Sequence, residues 1–112
     1  MEEFELLQQL QAMDRQLRNS LKALRENGTA YAAAEREYKK TLAKECARMR
    51  ADGTPVTLID KLCYGLENVA DLRFKRDIAE VVYKANIEAI NVLKLEIRLL
   101  DAQIEREWNN TK

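Results

Sequence analysis

From Glu67 to Trp108 the chain runs "ENVADLRFKRDIAEVVYKANIEAINVLKLEIRLLDAQIEREW", without one glycine or proline. At 1.5 Å per residue these roughly 40 positions make about 60 Å of helix. Val69, Leu72, Ala79, Tyr83, Ile90, Leu93, Ile97, Leu100 and Ile104 fall at steps of three, four or seven and form one apolar row. Phe74, Ile78, Val81, Ala85, Val92, Leu95 and Leu99 form a second, set roughly 100° away round the helix. One antiparallel helix can cover only one of these rows. The other needs the short helix and N-terminal turns, a second copy of the chain, or a different protein.

The partner for the first row lies upstream. Leu6, Leu10, Met13, Leu17, Leu21, Leu24, Tyr31, Tyr38, Leu42, Cys46 and Met49 keep helical spacing from about residue 4 to residue 50. Asn27-Gly28-Thr29 is the weak point, but one glycine costs only about 1 kcal/mol in a helix and the spacing keeps its phase. One helix with a local bend at 27–29 is expected. Asp52-Gly53 then ends the pattern and Pro55 forbids its continuation, placing a corner at about 53–66. There Thr57-Leu58-Ile59-Asp60 resembles a capping box opening a short helix from about Leu58 to Tyr64. Leu58, Ile59 and Leu62 are expected to seal the end of the hairpin.

The expected fold is therefore all-α and a single domain over residues 1–112. It is a long antiparallel, coiled-coil-like hairpin with a short corner helix, dimerising into a four-helix arrangement.

Charge and residue types narrow the function. Nineteen basic residues balance nineteen acidic ones, so the chain has no global attraction for nucleic acid or anionic lipid. There is no histidine, and Cys46 and Cys63 are the only cysteines, too few and too far apart for a conventional zinc site. Ser20, the only serine, has no histidine to activate it, and no glycine-rich phosphate loop is present. Neither enzyme activity nor a cofactor is expected. The start "MEEFELLQQL" lacks the basic and apolar regions of a signal peptide, so a cytoplasmic protein with reduced thiols is expected.

Two stretches invite a nucleic-acid reading. Thr57 to Lys84 could be drawn as a helix-turn-helix with Arg73, Lys75 and Arg76 on the recognition helix. Asp71, Asp77 and Glu80 interrupt those cations, and a recognition helix of about 40 residues is far too long, so a hairpin corner fits better. Arg36, Lys39, Lys40, Lys44 and Arg48 form a basic stretch around Tyr38, able to contact phosphate or an acidic partner, or simply to be a solvated face. Trp108, an amphipathic aromatic near the end of the last helix, is a candidate protein-contact residue.

"EREYKKTLAKECARMRADGTPVTLIDKLCYG" and "VADLRFKRDIAEVVYKANIEAINVLKLEIRLLDAQIEREW" resemble small helical accessory proteins of temperate phages and prophages of Gram-positive bacteria. The shared features are a basic helix running into a Gly-x-Pro-Val-Thr corner and a Leu-Arg-Phe-Lys-Arg-Asp segment opening a long helix. The resemblance covers roughly Glu35 to Trp108 and carries no catalytic residue. It implies a non-catalytic module, in a bacterial host cell, that binds another protein. The leading expectation is an inhibitor of a host defence nuclease such as a CRISPR effector, acting by surface occlusion. The alternatives are a coiled-coil accessory protein of phage replication or recombination with weak nucleic-acid contact, and a purely structural oligomer. The contact row would be Phe74, Ile78, Val81, Val92, Leu95 and Leu99.

Overall fold

The computed structural model describes residues 3–110. Three helices follow in order: α1 (Glu3–Ala51), α2 (Val56–Cys63) and α3 (Glu67–Asn110). They gather into two compact units, one comprising Met1–Glu26 with Lys84–Lys112 and the other Asn27–Tyr83. In the first unit the N-terminal half of α1 accompanies the C-terminal half of α3, and Leu6, Ile90 and Leu100 are its buried side chains. In the second unit the rest of α1, all of α2 and the start of α3 bury Tyr38, Met49, Ile59, Cys63 and Val69.

The corner follows from two backbone constraints. Gly53 takes φ 85°, a left-handed conformation that a side chain disfavours. This lets Thr54 N–H reach Met49 O at 3.0 Å and Gly53 N–H reach Arg50 O at 3.1 Å, satisfying the last carbonyls of α1. Pro55, at φ −56° and ψ 134°, then turns the chain away and serves as the N-cap of α2. Its carbonyl accepts from Leu58 N–H at 2.9 Å and Ile59 N–H at 3.2 Å.

The capping box expected at Thr57 and Asp60 is absent: α2 begins at Val56, one residue ahead of Thr57, and no side chain caps it. The reason is that Pro55 already fixes the entry angle and contributes no orphan N–H. The seal also differs from expectation. Only Ile59 of the trio is buried, packing with Met49 and Cys63 against Leu42, Cys46 and Leu66, while Leu58 and Leu62 face outward. Cys63, four residues after Ile59, takes the inward place assigned to Leu62.

α1 passes through Asn27, Gly28 and Thr29 without a break. A Cβ at Gly28 would lie 3.1 Å from Cε1 of Tyr83, whose ring sits 5.9 Å from that of Tyr31. Glycine here gives up helix propensity for close approach to an aromatic pair. Gly28→Leu is expected to displace Tyr83 and destabilise the protein by about 1–3 kcal/mol, read by thermal unfolding. Gly28→Ala should be nearly neutral, because about 1 kcal/mol of helix propensity offsets its tighter contact.

Polar groups are built into the packed faces. Arg76, largely covered, stacks over Tyr38 at 4.6 Å from the ring centroid and reaches Glu35 at 3.5 Å and Asp77 at 2.9 Å. Tyr31 Oη donates to Glu80 Oε2 at 2.9 Å, which with burial raises the phenol above its ordinary pKa. In the other unit, Asn86 Nδ2 donates to Ser20 O at 3.1 Å. Such seam polar groups lose least in one alignment of the helices, and so they set register.

Candidate interaction surface

Each residue of the first α3 row, from Val69 to Ile104, is buried or half-buried. The second row is not covered. In the corner unit, Phe74 is 67% exposed, Ile78 49% and Val81 64%; in the other unit, Val92 is 51%, Leu95 49% and Leu99 62%. Each is too open to be core. Val82 is exposed beside them.

The rows are further apart than the expected 100° or so. Averaged over all their residues at about 100° per step, the two rows lie about 150° apart round α3. The exposed row is thus on the helix face opposite the covered one, where the same α1 cannot reach. α1 has no equivalent: among its described residues only Phe4, Leu7 and Leu21 are large, apolar and exposed.

Trp108 is 54% exposed and lines a shallow groove with Glu3, Leu7, Asp101, Ile104 and Glu105. A second groove in the same unit is lined by Leu10, Asp14 and Arg15 of α1 and Ile97, Arg98 and Asp101 of α3. The charged side chains of the first are all acidic, Glu3, Asp101 and Glu105, whereas the second mixes Asp14 and Asp101 with Arg15 and Arg98.

The basic stretch of α1 is exposed but laced with its own carboxylates. Arg36 lies 3.7 Å from Glu37, Lys39 3.6 Å from Glu35 and Lys40 3.9 Å from Glu37. Arg48 bonds Glu45 at 2.6 Å and Lys44 points to solvent. Local pairing lowers the field a phosphate would meet, which favours the solvated-face reading.

Glu45 also ties α1 to α3, since its Oε1 accepts from Asn68 Nδ2 at 3.2 Å. The Arg48 hydrogen bond, then that of Asn68, holds its carboxyl below the ordinary range, against the opposing effect of burial. A depressed folded pKa contributes stability above the ordinary carboxyl value, which is lost as pH falls through the folded value. The stability difference between the native chain and Glu45→Gln should therefore shrink on acidification below about pH 4.3, as read by denaturant titration at stepped pH.

Among the described residues, no three or more Cys, Asp or Glu side chains are grouped to hold a metal ion. No helix formed by those residues is long and apolar enough to cross a membrane. No protein-family model, curated protein or solved structure matches the chain.

Arg76 and Asn86 are the residues that counting apolar positions missed. The signal was present: Val69, Leu72, Arg76, Ala79, Tyr83, Asn86 and Ile90 step by alternating threes and fours. The spacing, rather than the polarity, marked their place in the seam.

Proposed function

We propose that this chain is a non-catalytic protein-binding module whose contact surface is the outer row of α3, and that two copies pair through it into a four-helix arrangement. The observation that carries this reading is the exposure of Phe74, Ile78, Val81, Val92, Leu95 and Leu99 on the face opposite the covered row. A row this apolar is stabilised by leaving water, at about 25 cal/mol per Å² buried.

The spacing supports a second copy as the occupant. The row steps 74, 78, 81, 85, 88, 92, 95, 99, alternating fours and threes, the pattern of a coiled-coil seam. Laid antiparallel about a two-fold axis, Phe74 meets the partner's Leu99, Ile78 the partner's Leu95 and Val81 the partner's Val92. Ala85 leaves room for the partner's Glu88. On the flanks, Lys75 falls near the partner's Glu96 and Asp77 near the partner's Arg98. Opposite charges meet on both sides, and a chain of zero net charge has no long-range self-repulsion. The test is a charge swap: Lys75→Glu should weaken self-association a few-fold, and adding Glu96→Lys should restore it. Equal weakening by both changes together would reject this register.

The partner class rests on the phage-type resemblance. The module is a host-nuclease inhibitor of the anti-CRISPR kind, acting by occupying a surface that the nuclease needs. Titrating the protein into a purified CRISPR effector should abolish cleavage at a fixed stoichiometry without consuming substrate. Undiminished cleavage by a panel of such effectors would remove this partner class and leave the replication-accessory and structural readings.

A further inference from the structure

The corner brings together the only two thiols of the chain. Cys46 lies on α1 between Leu42 and Met49, and Cys63 is the last residue of α2. Their Sγ atoms are 3.1 Å apart although 17 residues separate them in sequence, about 1 Å more than a disulfide bond. Cys63 is fully buried and Cys46 half-buried. Cys63 Sγ is also 3.7 Å from Leu42 O, to which it can donate its one proton. With that proton turned to the carbonyl, the lone pairs of Cys63 are left toward Cys46.

We propose that Cys46 and Cys63 form an oxidation site, a dithiol that closes to an intramolecular disulfide and staples α2 to α1. The oxidant is a small-molecule disulfide such as oxidised glutathione. Cys46, the accessible thiol, loses its proton to solvent and attacks one glutathione sulfur. The glutathione S–S bond breaks, one glutathione leaves as a thiolate that takes up a proton, and a mixed disulfide remains on Cys46. Cys63 sulfur then attacks Sγ of Cys46, forming the Cys46–Cys63 bond and expelling the second glutathione, which takes up the proton that Cys63 releases. Two protein thiols are oxidised and one small disulfide is reduced to two thiols.

The order of events follows from the surroundings. Burial, reinforced by the hydrogen bond with Cys46, pushes the Cys63 thiol up to about 11, so it reacts second. The closed loop contains Gly53, Pro55 and nearly all of α2, whose packing on α1 rests on the cluster of Met49, Ile59 and Cys63. Closing a loop of this length lowers the unfolded-to-folded ratio on the order of 100-fold.

The test uses the full chain incubated with excess oxidised glutathione, quenched with acid and weighed intact without reductant. The expected product has lost two hydrogens, links the Cys46 and Cys63 peptides within one chain, and unfolds at a higher guanidinium concentration until dithiothreitol reverses the gain. Cys63→Ala should stop at a single glutathione adduct on Cys46. A native chain carrying two glutathione adducts, disulfide-linked copies, an unchanged mass, or an unfolding midpoint unmoved by oxidation would each overturn the proposal. If Cys63→Ala does not fold, the mass and unfolding midpoint of the native chain decide alone.

Discussion

Replacing Ile59 by aspartate is expected to unfold the corner, lowering stability by about 3–5 kcal/mol, whereas Leu58→Asp next to it should change stability by less than about 0.5 kcal/mol. The contrast arises from a single step along α2. Ile59 is 4% exposed and sits among Met49, Cys63, Leu42, Cys46 and Leu66, with no cation in that cluster to pair an added carboxylate. Leu58 points outward, where a carboxylate keeps its water. Guanidinium unfolding followed by circular dichroism measures both variants. Equal losses would mean that α2 presents a different face to α1.

The second large effect is on association rather than folding. Leu95→Lys combined with Leu99→Lys should leave helix content and unfolding midpoint near those of the native chain, because neither side chain packs in its own unit's core. Self-association should fall by about 1,000-fold or more. Each leucine buried in a dimer is worth about 1.5–3 kcal/mol, and two copies lose two each. Loss of helix content in this variant would place the row inside the fold instead of on its surface.

The long helices were legible in the sequence because periodicity and glycine or proline placement are local signals. The stretch from Glu67 to Trp108 lies within α3, and the covered and uncovered rows separate by exposure as their spacing divides them. Gly53 and Pro55 mark the corner because each restricts backbone angles regardless of surroundings. Features that depend on a second segment were not legible. Thr57 looked like a cap because the hydroxyl suits one, but Pro55 had already opened α2. Leu62 was expected to help seal the hairpin, yet the turn of α2 puts Cys63 inside and Leu62 outside. The charge of Arg76 suits a solvated face, but its guanidinium stacks on Tyr38, a contact between residues far apart in sequence. The closeness of Cys46 and Cys63 likewise depends on how α2 folds back.

The proposed function rests on the exposed α3 row, whose spacing is already legible in the sequence. Charge pairing across an antiparallel seam is the feature behind the proposed second copy, since the same residues must serve both sides.

Sedimentation equilibrium of the isolated native chain at high micromolar concentration tests this claim most directly. A dimer that becomes monomeric on Leu95→Lys with Leu99→Lys is the predicted result, and a native chain that sediments as a monomer would contradict it.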